Sequence, residues 1–168
     1  MISRRRMIVS SLAASLLAAT RSASAHGTVT HQDTRVSPPA PDQQAWGIAG
    51  DPGKISRTVP IAMSDRMRFT PDRIEVRLGE TIRFDYRNSG AVLHEMVIGT
   101  RDALAEHAEL MKKFPGMEHA DAWMAHVAPG ERGQMVWTFN RPGTFSFACL
   151  IPGHFEAGMI GTIVVAPG

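Results

Sequence analysis

The sequence predicts an all-β fold, a Greek-key β-sandwich with one inserted helix and an extended N-terminal arm. Apolar and polar residues alternate over several short, antiparallel-looking stretches. Turn residues separate these stretches at roughly even spacing, and one later stretch has the period of a helix. At 168 residues, the chain is long enough for one globular domain with appendages.

The first 25 residues predict an export signal. Arginines at positions 4–6 precede an apolar stretch at 9–20, and small residues end at Ala25 in a cleavage signature. The apolar stretch is shorter than the roughly 20 residues that cross a bilayer. We therefore expect cleavage after Ala25, a periplasmic location and no membrane span. Ser3 and the arginines also resemble a twin-arginine signal, although ordinary secretion would use the same features.

Removal of this segment changes the charge of the chain. It takes away four of the 18 Lys and Arg residues and none of the 16 Asp and Glu residues, which leaves a slightly acidic protein. We therefore expect no nucleic-acid partner.

Residues 26–58 predict an extended arm in front of a domain at 59–168. The segment is rich in Pro, Gly and His and has almost no apolar periodicity. Trp46 and Ile48 are the candidates for pinning part of this arm to the domain surface.

The domain contains three clear strands in its first half. Residues 74–78 and 82–86 alternate between apolar and charged side chains, and the Gly and Glu between them predict a turn. Residues 92–98 form the next strand, in which His94 shares a face with Val92 and its apolar neighbours. We therefore expect His94 to point towards the core.

One helix and three more strands follow. Residues 102–114 have an apolar helical face and lie within a Met/His-bearing insert at about 100–130. Large apolar side chains alternate at 135–139 and again at 145–149, which predicts two strands, and residues 160–165 predict the last one.

The segment that carries chemistry runs from Cys149 through His154 to Met159, with four residues between successive members. Copper that changes oxidation state prefers a thiolate and imidazoles, with a weak thioether bond. The second imidazole must come from elsewhere, and His94 is the natural donor. A structural zinc site is disfavoured because such sites rarely use a thioether. Cys149, the only cysteine, has the alternative role of an inert core residue.

This loop resembles the copper loop of the cupredoxins. Phe-x-Cys-x-x-Pro-Gly-His spans residues 147–154 and Gly-Met-x-Gly spans 158–161, a spacing most similar to that of the rusticyanins. Asn-Ser-Gly at 88–90, ahead of His94, also resembles this family. The resemblance implies a rigid type 1 copper site whose electron passes through His154. Exported cupredoxins of copper tolerance are similar in their additional Met and His residues.

The insert raises the question of a second, labile copper site. Its candidate ligands are Met117, His119, Met124 and His126. Thioethers bind cuprous copper and imidazoles bind either oxidation state. The simpler interpretation is that the methionines pack the insert against the sandwich and the histidines face water.

Two functions remain open from the sequence alone. The first is an electron carrier that docks a redox partner protein. The second is a copper-tolerance protein that sequesters periplasmic copper or delivers it to a copper-handling partner protein, through the type 1 site and the insert. We expect no enzyme, because the chain has no His-x-His pairs for a multicopper cluster and no hydrolytic constellation. Nothing demands more than a monomer.

Overall fold

Two five-stranded β-sheets enclose the core in the structure, a computed structural model that describes residues 42–114 and 120–167. The two sheets and one helix confirm the predicted fold class. The predicted signal at 1–25, the arm as far as residue 41, and Met117 and His119 of the insert lie outside the described residues.

The elements follow one another in a simple order. Strands β1 to β6 occupy Ile48–Ala49, Arg57–Ser64, Arg68–Thr70, Arg73–Arg77, Thr81–Asn88 and His94–Gly99. Helix α1 then occupies Arg101–Lys113, and strands β7 to β10 occupy Met124–Val127, Arg132–Thr138, Gly143–Ala148 and Ile160–Ala166. The first sheet has the order β1-β8-β5-β2-β3, and the second has the order β4-β10-β9-β6-β7.

Two of the strand pairs are parallel, namely β2 with β5 and β4 with β10. This differs from the expectation of antiparallel-looking strands, because alternation shows which face of a strand is buried and not which way its neighbour runs. The predicted turn at Gly79 and Glu80 is present, and it carries the chain from β4 in the second sheet to β5 in the first.

The core lies between the sheets and is formed by the inward side chains of both. On β4, Ile74 and Val76 are buried while their neighbours are exposed, as the alternation predicted. Phe69 of β3 and Phe147 of β9 meet edge to face with ring centroids 5.0 Å apart, which joins the two sheets.

Helix α1 covers the outer face of the second sheet. Its N-cap, Thr100, accepts a hydrogen bond from the N–H of Ala103 at its side-chain oxygen. The helix buries Leu104, Ala108 and Met111, the predicted face, in a cluster with side chains of β6 and β9. All six residues of β6 are consequently buried. None of the described helical segments combines the length and the apolar character of a membrane span.

Residues 42–58 of the predicted arm lie along the first sheet. Strand β1 pairs antiparallel with β8, and the indole N–H of Trp137 donates to the carbonyl of Trp46 at 3.0 Å. Gly47, between Trp46 and β1, has a φ of +133°, and a Cβ there would lie 2.4 Å from the Trp137 indole nitrogen. Only glycine therefore lets the backbone come this close to the indole.

Candidate metal centre

The predicted ligands lie at one end of the second sheet. His94 begins β6, Cys149 follows β9, and Met159 precedes β10. Because β9 pairs antiparallel with both β6 and β10, these three strand ends are adjacent. His154 lies in the loop that joins β9 to β10. The fold therefore brings a residue from an earlier strand to the loop that supplies the other three.

The side-chain atoms of three predicted ligands form a compact cluster. Sγ of Cys149 lies 3.2 Å from Nδ1 of His154, and one ligand atom each from His94, Cys149 and His154 lie within 4.8 Å of one another. The backbone places Met159 beside them, since its N–H donates to the His154 carbonyl and its carbonyl accepts from the Cys149 N–H. His94, Cys149 and Met159 are fully buried, whereas His154 is half-buried.

One ring nitrogen of His94 contacts a carboxylate, and the other has no hydrogen-bond partner among the described residues. Nε2 of His94 lies 3.1 Å from Oδ1 of Asp65. An ionised carboxylate only accepts hydrogen bonds, so this contact places the proton on Nε2. Nδ1 is buried and has no hydrogen-bond partner among the residues that the structure describes. A buried imidazole nitrogen with a free lone pair is the state that a metal ligand requires.

Asp65 is a site residue that the sequence analysis missed. It lies between β2 and β3, and its Oδ2 also accepts a hydrogen bond from the N–H of Ala91 at 2.7 Å. The Ala91 hydrogen bond, together with that from His94, lowers the pKa of this carboxyl below its ordinary value. A Cβ on Gly90 would lie 1.8 Å from Asp65 Oδ1, so the approach requires glycine.

The protonation states of the apo site follow from burial. Burial raises the pKa of the Cys149 thiol to about 12, so the apoprotein holds a thiol at neutral pH. Burial, and next the neighbouring His94, lower the pKa of His154, which favours the neutral imidazole. A soft metal can displace the thiol proton, and two imidazoles with one thiolate are a copper-type donor set. The residues present therefore fit copper.

The chain also matches a family of known proteins. Residues 57–166 match the family model of copper binding proteins of the plastocyanin/azurin family. The chain belongs to this family, the cupredoxins. It is 52% identical over 120 residues to the copper-resistant cuproprotein CopI of Rubrivivax gelatinosus, which covers 71% of this chain and 73% of that protein. It is 32% identical to CopI of Pseudomonas aeruginosa, in a match that covers 74% of this chain and 84% of that protein.

A solved cupredoxin structure agrees with this assignment. The dithionite-reduced auracyanin of Roseiflexus castenholzii superimposes with a TM-score of 0.60 at 28% identity, over 67% of this chain and 99% of that one. The family membership confirms a copper-binding cupredoxin. The rusticyanin-like spacing of the loop stays a prediction.

The cupredoxin loop before His94 is held by Asn88, the last residue of β5. Its side-chain amide donates to the carbonyls of Val92 at 2.7 Å and Val127 at 2.9 Å, and its Oδ1 accepts from the N–H of Gly90 at 2.8 Å. Asn88 is fully buried. These bonds keep residues 88–92 as a loop, which is why β6 begins at His94 and leaves the predicted strand residue Val92 exposed.

Two charged side chains hold the copper loop from outside. The Arg68 guanidinium donates to the carbonyls of Ala157 at 2.9 Å and Gly158 at 3.3 Å. Nζ of Lys112 on α1 lies 2.6 Å from one carboxylate oxygen of Glu156. The other carboxylate oxygen accepts a hydrogen bond from the backbone N–H of the residue before His154. The loop is thereby attached both to β3 and to the helix.

The structure describes half of the candidate second site. Met124 and His126 lie on β7, and Nε2 of His126 is 2.8 Å from Oε2 of Glu95. Met117 and His119 lie outside the described residues. The second copper site at these four residues therefore stays a prediction.

Proposed function

We propose that this cupredoxin binds one copper ion through His94, Cys149, His154 and Met159 and carries single electrons. The observation that carries the proposal is the buried Nδ1 of His94, which has no hydrogen-bond partner among the described residues and belongs to the same cluster as Cys149 Sγ and His154. When bound, copper supplies a one-electron couple. A lone pair left over in a dry, preorganised cluster is costly unless a ligand uses it.

Each residue has a distinct part in this function. Asp65 holds the Nε2 proton of His94 and thereby directs Nδ1 to the cluster. Cys149 gives up its proton on binding and presents a thiolate. Burial of Cys149 and Met159 keeps water away from the sulfur atoms. Because the ligands lie at strand ends and in a hydrogen-bonded loop, we expect them to keep the same positions in both oxidation states.

The surface near the site suits transient docking of a redox partner. His154 is half-buried, so it is the ligand nearest to solvent among the three histidine and cysteine side chains of the cluster. Val92 and Leu93, immediately before His94, are exposed apolar side chains, and the ring centroids of His94 and His154 are 5.0 Å apart. A small apolar patch beside an electron-conducting residue is typical of short-lived redox interfaces. We propose that electrons enter and leave there, with the chain acting as a carrier rather than as an enzyme.

A second candidate function is copper resistance. The relatives at 52% and 32% identity are both named copper-resistant cuproproteins. In this role the type 1 site and the insert bind periplasmic copper, and the predicted signal at 1–25 directs the chain to that compartment. The observation favouring it is the close relationship to these named proteins.

The binding proposal is tested by cupric titration of the mature protein, followed by visible absorption and electron paramagnetic resonance. We expect one equivalent to give an intense thiolate-to-copper band that is absent in Cys149→Ser and altered in His94→Ala. His107→Ala on α1 is the matched histidine control and keeps the band. A wild-type protein without the band contradicts the proposal.

The two functions are separated in a strain that lacks the gene. If the copper centre protects cells, Cys149→Ser fails to restore growth in copper, whereas wild type restores it. If the protein is only an electron carrier, deletion leaves copper sensitivity unchanged and impairs electron flow instead.

A further inference from the structure

Glu95 is a buried carboxylate that has no part in the copper ligation proposed above. It follows His94 on β6, and since side chains alternate along a strand, it points to the opposite face, the face on which Val97 packs with α1. Its side chain is only 2% exposed. A buried carboxylate is expensive unless other groups stabilise its charge, so its contacts indicate what it does.

Those contacts connect Glu95 to the copper loop. Oε1 accepts a hydrogen bond of 2.8 Å from the N–H of Leu150, the residue after Cys149. The backbone of Glu95 also lies close enough to the Cys149 sulfur to lower the pKa of the thiol, against the larger opposing effect of burial. Glu95 therefore meets the thiolate ligand from two sides, through its own backbone and through the next peptide of the loop.

The other carboxylate oxygen meets His126. Nε2 of His126, on β7, lies 2.8 Å from Oε2 of Glu95, and the two residues are directly opposite each other in the β6–β7 register. The His126 side chain is 35% exposed. Because an ionised carboxylate only accepts, Nε2 of His126 carries the proton that faces it. The imidazole thus stabilises the ionised form of Glu95 and links the insert to the copper loop.

A fixed negative charge at this place has an electrochemical consequence. The oxidised state of a copper–thiolate site carries one more positive charge than the reduced state. A nearby carboxylate in a poorly solvated interior stabilises the oxidised state more strongly and lowers the reduction potential. The same charge adds to burial in raising the pKa of the Cys149 thiol.

We propose that the Glu95–His126 pair sets the reduction potential of the copper site, with Glu95 as a positioning residue that holds the loop at Leu150 and lowers the potential by its charge. The inference rests on the proposed function, because it requires copper at the cluster. His126 acts through Glu95 and not directly on the ligands.

The test is the midpoint potential of the copper-loaded protein in Glu95→Gln. The amide oxygen still accepts from Leu150, while the charge is gone. We expect the equilibrium to shift at least tenfold towards the reduced form, a rise of about 59 mV for one electron. Glu75→Gln, an exposed carboxylate paired with Arg73 on β4, is the matched control and leaves the potential unchanged. A Glu95→Gln potential equal to that of the control overturns the inference.

A double-mutant cycle separates electrostatic tuning from simple packing. We expect His126→Leu to shift the potential in the wild-type background and to have little effect in the Glu95→Gln background. Equal shifts of the potential in both backgrounds would show that His126 does not act through Glu95, which overturns the proposal. If Glu95→Gln does not fold, His126→Leu decides alone: a shift absent from His107→Leu supports the inference, and no shift overturns it.

Copper binding and the role of Glu95 are tested by different readouts, the thiolate-to-copper band and the reduction potential. A wild-type protein without a thiolate-to-copper band contradicts the proposed function. A normal band with unchanged potentials in all variants contradicts only the role of Glu95 and His126.

Discussion

Replacing Asn88 with alanine tests whether the loop before His94 is held by this one side chain. Asn88 is fully buried and makes three hydrogen bonds of 2.7–2.9 Å, two to carbonyls and one from the N–H of Gly90. Asn88→Ala removes all three and leaves the carbonyls of Val92 and Val127 without that donor.

The structure sets the scale of the expected loss. Each hydrogen bond contributes a net of about 0.5–1.5 kcal/mol, and buried groups left without a partner push the cost to the upper part of that range. We therefore expect the free energy of unfolding of the apoprotein to fall by roughly 2–4 kcal/mol. For a domain of this size the melting temperature falls on the order of 10 °C.

The assay is urea unfolding followed by tryptophan fluorescence, analysed as a two-state transition. Asn140→Ala is the matched control, because the Asn140 amide bonds only with Gln43 at the exposed surface among the described side chains. We expect the control to change stability by less than about 0.5 kcal/mol. A loss in Asn88→Ala no larger than in the control would show that the Asn88 side chain does not hold this loop.

Three further predictions concern the ligands and the loop. Asp65→Asn lowers copper affinity by about tenfold, measured by competition with a chelator, because the amide no longer holds the Nε2 proton of His94 as a carboxylate does; unchanged affinity contradicts it. Arg68→Met frees the carbonyl of Gly158 and speeds copper release in stopped flow, whereas Arg73→Met, an exposed arginine away from the loop, does not. The raised pKa of Cys149 is also visible in the apoprotein. Unfolding exposes a thiol of ordinary pKa, so the contribution of Cys149 to stability is constant below about pH 9 and is lost as the pH rises towards the folded pKa of about 12; a Cys149→Ser variant lacks this alkaline decline.

Much of the fold was predictable because burial on one face leaves a pattern of period two. The alternation along β4 and the apolar face of α1 predict the same buried residues that the structure shows. The parallel pairing of β2 with β5 was not predictable, because a strand carries the same alternation whichever way its neighbour runs.

The candidate site was predictable where its chemistry is local in sequence. Cys149, His154 and Met159 belong to one short loop, and His94 was the inward histidine of a strand. Asp65 and Glu95 had no such signal. Asp65 reaches a histidine 29 residues away, and Glu95 reaches a backbone N–H 55 residues away, so only the folded chain shows what they bind.

The most direct measurement is a crystal structure of the copper-loaded protein with diffraction data collected on both sides of the copper absorption edge. We predict one anomalous peak among Nδ1 of His94, Nδ1 of His154 and Sγ of Cys149, beside the side chain of Met159. Copper bound elsewhere, with no peak at this cluster, would show that these four residues are not the copper ligands.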